Sequence, residues 1–172
     1  MVRYAEPGVA EWVESGGGPL IAVPEAVLPF WTGADGEETA SDYDRACEVD
    51  GSVGLLPVGD STALVLGDEP ASTAFLPDHG TFVRWCAGNS EDELLASVPV
   101  ALHAAEWEPE ISWDVPGAVL LFDAAWPGDD STSAEHVRVV LEPGRYAVRA
   151  AQVQPGPETW VGLVQLRRLA HR

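Results

Sequence analysis

Short apolar runs, separated by Gly, Pro, Asp and Asn, recur along the chain at 19–23, 53–58, 62–67, 72–76, 81–87, 106–113, 118–124, 136–142, 145–153 and 160–168. Runs of this length bounded by turn residues predict strands. Two of them alternate cleanly, with Tyr146, Val148 and Ala150 set against Arg145 and Arg149, and Val137, Val139 and Leu141 against His136 and Arg138. That period of two predicts sheets with one wet face. Helix signals are few. Ser90-Glu91-Asp92-Glu93 reads as a capping box ahead of Leu94, Leu95 and Val98, with Pro99 as the stop. Ser41-Asp42-Tyr43-Asp44 opens a second short helix with Tyr43, Ala46 and Cys47 on one stripe, and Pro24–Leu28 adds one turn. The pattern predicts an α+β, mainly β chain of antiparallel sheets with two or three short helices, in one compact domain over 1–172.

A faint repeat runs through the pattern. Trp12 to Gly33 echoes Trp113 to Gly128, and "LPDHGTFVR" at 76–84 echoes "LEPGRYAVR" at 141–149. The echo divides the domain into two related β-rich lobes, roughly 1–99 and 100–172. Gly16-Gly17-Gly18-Pro19 then reads as a hairpin turn or a bend at a lobe's edge, since glycine supplies positive φ without steric cost and Pro19 needs no ladder N–H at the start of a strand.

Composition removes the other reading of those glycines. The chain of 172 residues carries 28 acids against 9 bases, a formal charge of −19, and all nine bases are arginine. A phosphate-cradling loop needs a lysine and a following helix N-terminus, and this stretch has neither. So acidic a surface repels nucleic acid and anionic membranes and complements a basic partner. The first residues, "MVRYAEPGVAEW", hold no apolar signal core, and nowhere do eighteen apolar residues run together, which predicts a soluble, cytoplasmic protein. Cys47 and Cys86 lack metal-site spacing and read as two buried thiols. Scattered His79, His103, His136 and His171 give no metal motif, so neither metal nor cofactor is expected.

The candidates for chemistry are therefore acids and aromatics. Glu106, Glu108 and Glu110 alternate with Trp107, Pro109 and Ile111, so a strand would line three carboxylates on one face, either to dock a partner or to protect a sheet edge. A second cluster, "ADGEETASDYD" at 34–44 with Glu48 and Asp50, places Asp35, Glu37, Glu38, Asp42 and Asp44 in and beside a loop suited to presenting charge. It lacks the order of a calcium loop. Trp12, Trp31, Trp85, Trp113 and Trp126 read as core, and Trp160 as a rim residue able to anchor a partner. Arg167, Arg168 and Arg172 make a small basic end expected to pair with the acidic remainder.

Three stretches carry a resemblance. "WVESGGGPLIAVP", "SDYDRACEVDGSVGLLPVGDSTALVLGDEP" and "FVRW", spanning roughly 12–86, resemble the immunity protein 21 family of bacterial polymorphic toxin systems. The features that match are Trp12, Glu14 to Pro19, Asp42 to Arg45, Cys47, Gly59, Leu66 to Pro70, Arg84 and Trp85. The resemblance implies a small cytoplasmic, non-catalytic protein that neutralises a toxin encoded next door by occupying its active site or a nearby surface, with a toxin of basic surface as its cognate partner. Two other readings stand beside it: a β-sandwich that binds a small ligand in an apolar cleft, and a hydrolase using a carboxylate with His79 or His136.

Overall fold

The structure, a computed structural model, describes residues 10–35, 41–67, 70–130 and 135–170. Ten strands form two antiparallel five-stranded sheets, and helical segments close both outer faces. The first sheet has the order β2 (Val53–Val58), β3 (Ser61–Leu66), β1 (Leu20–Pro24), β7 (Val119–Asp123), β8 (His136–Val139). The second has the order β4 (Ser72–Leu76), β5 (Thr81–Ala87), β10 (Thr159–Arg168), β9 (Gly144–Gly156), β6 (Ile111–Val115). The fold is α+β and mainly β, as the apolar pattern predicts. Each sheet draws strands from both sides of residue 99.

Period two sorts the side chains into layers. Leu20 and Ala22 of β1, Leu64 and Leu66 of β3, Val119 and Leu121 of β7, and Val137 and Val139 of β8 point inward. They meet Phe82, Val148, Tyr146, Val164, Leu166 and Trp113 of the second sheet in the central core. The intervening residues of the first sheet are buried as well: Ile21, Val23, Ala63, Val65, Leu120 and Phe122 pack beneath Val27, Trp31, Tyr43 and Ala46. On the far side of the second sheet, Val83, Val161 and Leu163 lie beneath Leu94, Val98 and Ala101. The expected alternation holds on edge strand β8 and at the start of β9, where Arg138 and Arg145 face solvent, but one wet face per sheet fails for the inner strands β1, β3 and β7. Continuous runs such as Leu20–Val23 are apolar because their strands are covered on both faces. Each fully buried Leu or Val is worth about 1.5–3 kcal/mol relative to exposure.

Trp113 ties the two sheets together. It sits on edge strand β6 of the second sheet, and its Nε1–H donates to the carbonyl of Thr62 in the first at 2.9 Å. Arg84 is buried among the inward-facing side chains near β4, donating to Thr73 Oγ1 at 3.3 Å and to the Gly67 carbonyl. Its cross-strand partner is Gly162, where an added Cβ would lie 3.1 Å from Arg84 Cβ.

The two helices differ from expectation in their ends. α1 (Asp42–Cys47) carries the reciprocal capping box: Ser41 Oγ accepts from Asp44 N and an Asp44 carboxylate oxygen accepts from Ser41 N, both at 3.1 Å. α2 (Glu91–Ala104) begins with Ser90 Oγ accepting from Glu93 N at 3.2 Å. It then runs straight through Pro99, which does not stop it. Pro99 is exposed, while Leu94, Val98 and Ala101 keep the same face on the sheet across it. Burial of that stripe outweighs the lost backbone bond. The expected strand over 106–113 is also corrected. Residues 105–110 are irregular, and β6 starts at Ile111, because Pro109 has no N–H to give a ladder.

Candidate functional site

The glycine stretch is neither a hairpin turn nor a phosphate cradle. Val13 bridges Thr73 of β4 in the second sheet, and Leu20 opens β1 in the first, so residues 14–19 carry the chain across from one sheet to the other. Ser15 Oγ donates to the Gly18 carbonyl at 2.5 Å and accepts from Gly17 N at 3.1 Å, while Gly16 N donates to Asp123 at 2.8 Å. Gly17 adopts φ +133°, and at Gly18 a Cβ would collide with the hydroxyl and ring of Tyr43. Glycine is required there because a phenol lies against the backbone.

That contact forms one wall of an open cleft of about 370 Å³, bounded by Gly17–Pro19, by Tyr43 and Cys47 of α1, by Val49–Gly51, and by Gly67 and Pro70. The motif residues that lie far apart in sequence converge here. Asp50 is the acid that lines the cleft. The Tyr43 hydroxyl is held above its ordinary range by its hydrogen bond to Cys47, by burial, and by the charges of Asp123 and Asp44. Cys47 is exposed and Cys86 half-buried, so the expectation of two buried thiols is corrected. On α1 it is Ala46 that faces the sheet, which turns Cys47 outward towards Tyr43 one turn earlier.

The acids predicted to dock a partner fall into two groups on opposite sides of the sandwich. Asp35, Asp42 and Asp44 lie with the layer outside the first sheet; Glu37 and Glu38 lie outside the described residues. Asp35 is exposed. Asp42 is engaged internally, accepting from Thr32 N and Oγ1 at 2.9 Å each and pairing with Arg45 at 2.8 Å, and Asp44 holds the capping box. Glu106, Glu108 and Glu110 lie outside the second sheet. All three are exposed, with Trp107 between them turned inward under the Arg149 guanidinium at 4.0 Å. The alternation survives on an extended segment without a ladder, and the one backbone bond Glu108 N to Ala150 O at 2.9 Å fixes it. Glu110 pairs with Arg167 at 3.2 Å.

Arginines are consumed by such pairs. Arg138 meets Glu25 at 2.6 Å, Arg145 meets Asp114 and Arg168 meets Glu142 at 3.2 Å, and Arg149 donates twice to Gln165. The basic end does pair with acids, through Arg167 and Arg168. Many acids, including Glu48, Asp50, Glu106, Glu108 and Glu158, stand without an ion pair among the described residues.

The aromatics divide differently from expectation. Trp31 and Trp113 are core, and Trp12 packs against Trp85 with ring centroids 5.4 Å apart. Trp160 is 43% exposed, at the start of β10. Trp126, expected in the core, is 50% exposed, because it follows the end of β7 and its backbone is clamped between Gly33 and the turn at Gly128. Phe30, which the sequence reading passed over, is 63% exposed. Asp78 and His79 sit exposed in the turn between β4 and β5, while His136 opens β8 on the edge of the other sheet. Among the described residues no three His, Cys, Asp or Glu side chains group as a metal site, and no helix is long and apolar enough to cross a membrane.

Comparison with known proteins gives one match. The model of the family described as immunity protein 21 matches residues 11–159, beyond the 12–86 carrying the recognised motifs and across strands of both sheets. No curated protein and no solved structure gives a significant match. With the match spanning most of its length, and its motif residues gathered around one cleft at the crossing between the sheets, the chain belongs to the immunity protein 21 family.

Proposed function

We propose that this protein neutralises a cognate polymorphic toxin inside the cell that makes both, by direct binding and occlusion and without catalysis of its own. The family match over residues 11–159 carries the reading. The charge supports it physically. With 28 acids against 9 arginines, and the described arginines engaged with acids, Gln165, Trp107 or the buried Arg84 site, the chain presents a negative field to solvent. Such a field steers a basic partner and lifts association above the roughly 10⁵–10⁶ M⁻¹s⁻¹ of neutral encounters. Asp35 is a proposed contact, while Glu37, Glu38, Glu106, Glu108 and Glu110 contribute charge to the steering field.

Co-expression with the toxin domain encoded beside its own gene tests the reading, scored by survival and then by co-purification. Survival with a stable complex is expected; death despite soluble expression of this chain refutes it. In that complex, Glu106→Gln with Glu108→Gln is expected to slow association severalfold and flatten its salt dependence, and stopped-flow rates equal to wild type at low salt would remove these two acids from the steering surface.

A further inference from the structure

Among the described residues the exposed large apolar side chains are Phe30, Val100, Trp126, Val140 and Trp160. Val100 is on α2, Val140 follows β8 and Trp160 begins β10, each on a different element. Phe30 and Trp126 come from one seam. The backbone of 28–34 packs on that of 125–128: Gly128 N donates to the Trp31 carbonyl at 2.7 Å, Ala34 N to Ala125 O at 2.9 Å, and Trp31 Nε1 to Ala124 O at 3.1 Å. Three glycines make the close approach feasible. Gly33 (φ +63°) lies against the backbone of Ala125 and Trp126, Gly128 lies against the Leu28 carbonyl, and Gly59 (φ +58°) receives the edge of the Phe30 ring. The two aromatics are thus held outward on a clamped frame. Acids follow each clamp: Asp35 after Gly33, Asp60 after Gly59 and Asp129 after Gly128, all exposed.

We infer that this seam is the docking surface for the toxin, with Phe30 and Trp126 as its anchors and Asp35, Asp60 and Asp129 as a rim; the inference rests on the immunity reading above. Exposed aromatics on a backbone fixed by hydrogen bonds, with exposed acids on the same turns, have the composition of an interface hot spot with a polar rim, and a backbone already ordered loses little freedom on binding. The occupant is an apolar spot on the toxin flanked by Lys or Arg. A second copy is disfavoured, because pairing two such faces brings like rims together on chains of formal charge −19.

Affinity of the purified chain for the adjacent toxin domain, measured by titration calorimetry, tests the assignment. Phe30→Ala and Trp126→Ala are each expected to weaken binding about 30-fold. Val100→Ala, at an exposed apolar position on α2, serves as the comparison and is expected to bind as the wild type does, with the fold of each variant checked by circular dichroism and melting. Asp60→Arg and Asp129→Arg, at exposed turn positions and with the fold checked in the same way, are expected to weaken it about tenfold through slower association. If the wild type binds and all four seam variants bind within twofold of it, the seam is overturned while immunity by binding stands. If the wild type proves dimeric on light scattering and the seam variants are monomeric with toxin affinity intact, the seam is overturned in favour of self-association. Failure of the wild type to bind at all refutes the immunity reading and this inference with it.

Discussion

Replacing Pro99 by Ala should stabilise the protein. Pro99 lies inside α2 on the exposed side, so the substitution removes no packing from Leu94, Val98 or Ala101. It supplies an N–H for the Leu95 carbonyl one turn back and removes the ring that crowds it. The bond alone is worth about 0.5–1.5 kcal/mol, and the full difference between Pro and Ala in a helix interior is about 3 kcal/mol. A gain of about 1–3 kcal/mol is expected. For a chain of this size each kcal/mol moves the melting temperature by roughly 2–4 °C, so thermal denaturation followed at 222 nm should shift upward by about 6 °C. Ala96→Gly, exposed on the same helix, calibrates the measurement with a loss of about 1 kcal/mol. An unchanged or lower melting temperature for Pro99→Ala, with Ala96→Gly behaving as stated, would mean that the helix does not continue through residue 99 and that its two halves are held by packing alone.

Gly18→Ala is expected to cost about 1–3 kcal/mol, since its Cβ displaces the Tyr43 ring or the crossing loop; in urea denaturation the loss should be less than additive with that of Tyr43→Ala. Alkali should destabilise the fold. Tyr43 is raised above 10.0, first by its hydrogen bond to Cys47 and then by burial, and Tyr146 is raised by burial, so both phenols hold their protons more tightly folded than unfolded. Their contribution is complete below about pH 10 and disappears as pH climbs through the raised folded values. Urea midpoints between pH 9 and 11.5 should fall, and fall less steeply in Tyr43→Phe; a flat profile would refute the coupling.

Nine of the ten apolar runs became strands with bounds within about three residues of expectation, because their character does not depend on what they pair with: β2, β4 and β5 begin and end where the pattern places them. The misses have a common origin in tertiary context. The Pro99 stop was a correct local rule, overridden by the sheet beneath α2. The strand over 106–113 failed at a single residue, Pro109, yet the outward alternation of Glu106, Glu108 and Glu110 survived. Trp126 defeated a rule based on residue type, since an indole after a strand end faces whichever way the clamped backbone turns it. The cleft was legible only in part. Its motif residues could be named from the sequence, but that Gly18 meets Tyr43, and that residues 14–19 cross between sheets, depends on contacts across long separations.

The placement of β1 bears on how the chain folds. It is the first of the described strands in chain order, yet it lies in the middle of its sheet, and its partner β7 lies about 100 residues later. In the other sheet β5 waits in the same way for β10. During synthesis the hairpin of β2 and β3 can pair with β1, but the opposite edge of β1 stays open until residue 123 has emerged. Long-range antiparallel pairing of this kind has a high entropic barrier and folds on the slower scale of β topologies. An open, apolar edge at Leu20–Val23 is also where nascent copies would adhere to one another. A formal charge of −19 opposes that adhesion, since like-charged incomplete chains repel one another while the last strands are still being made.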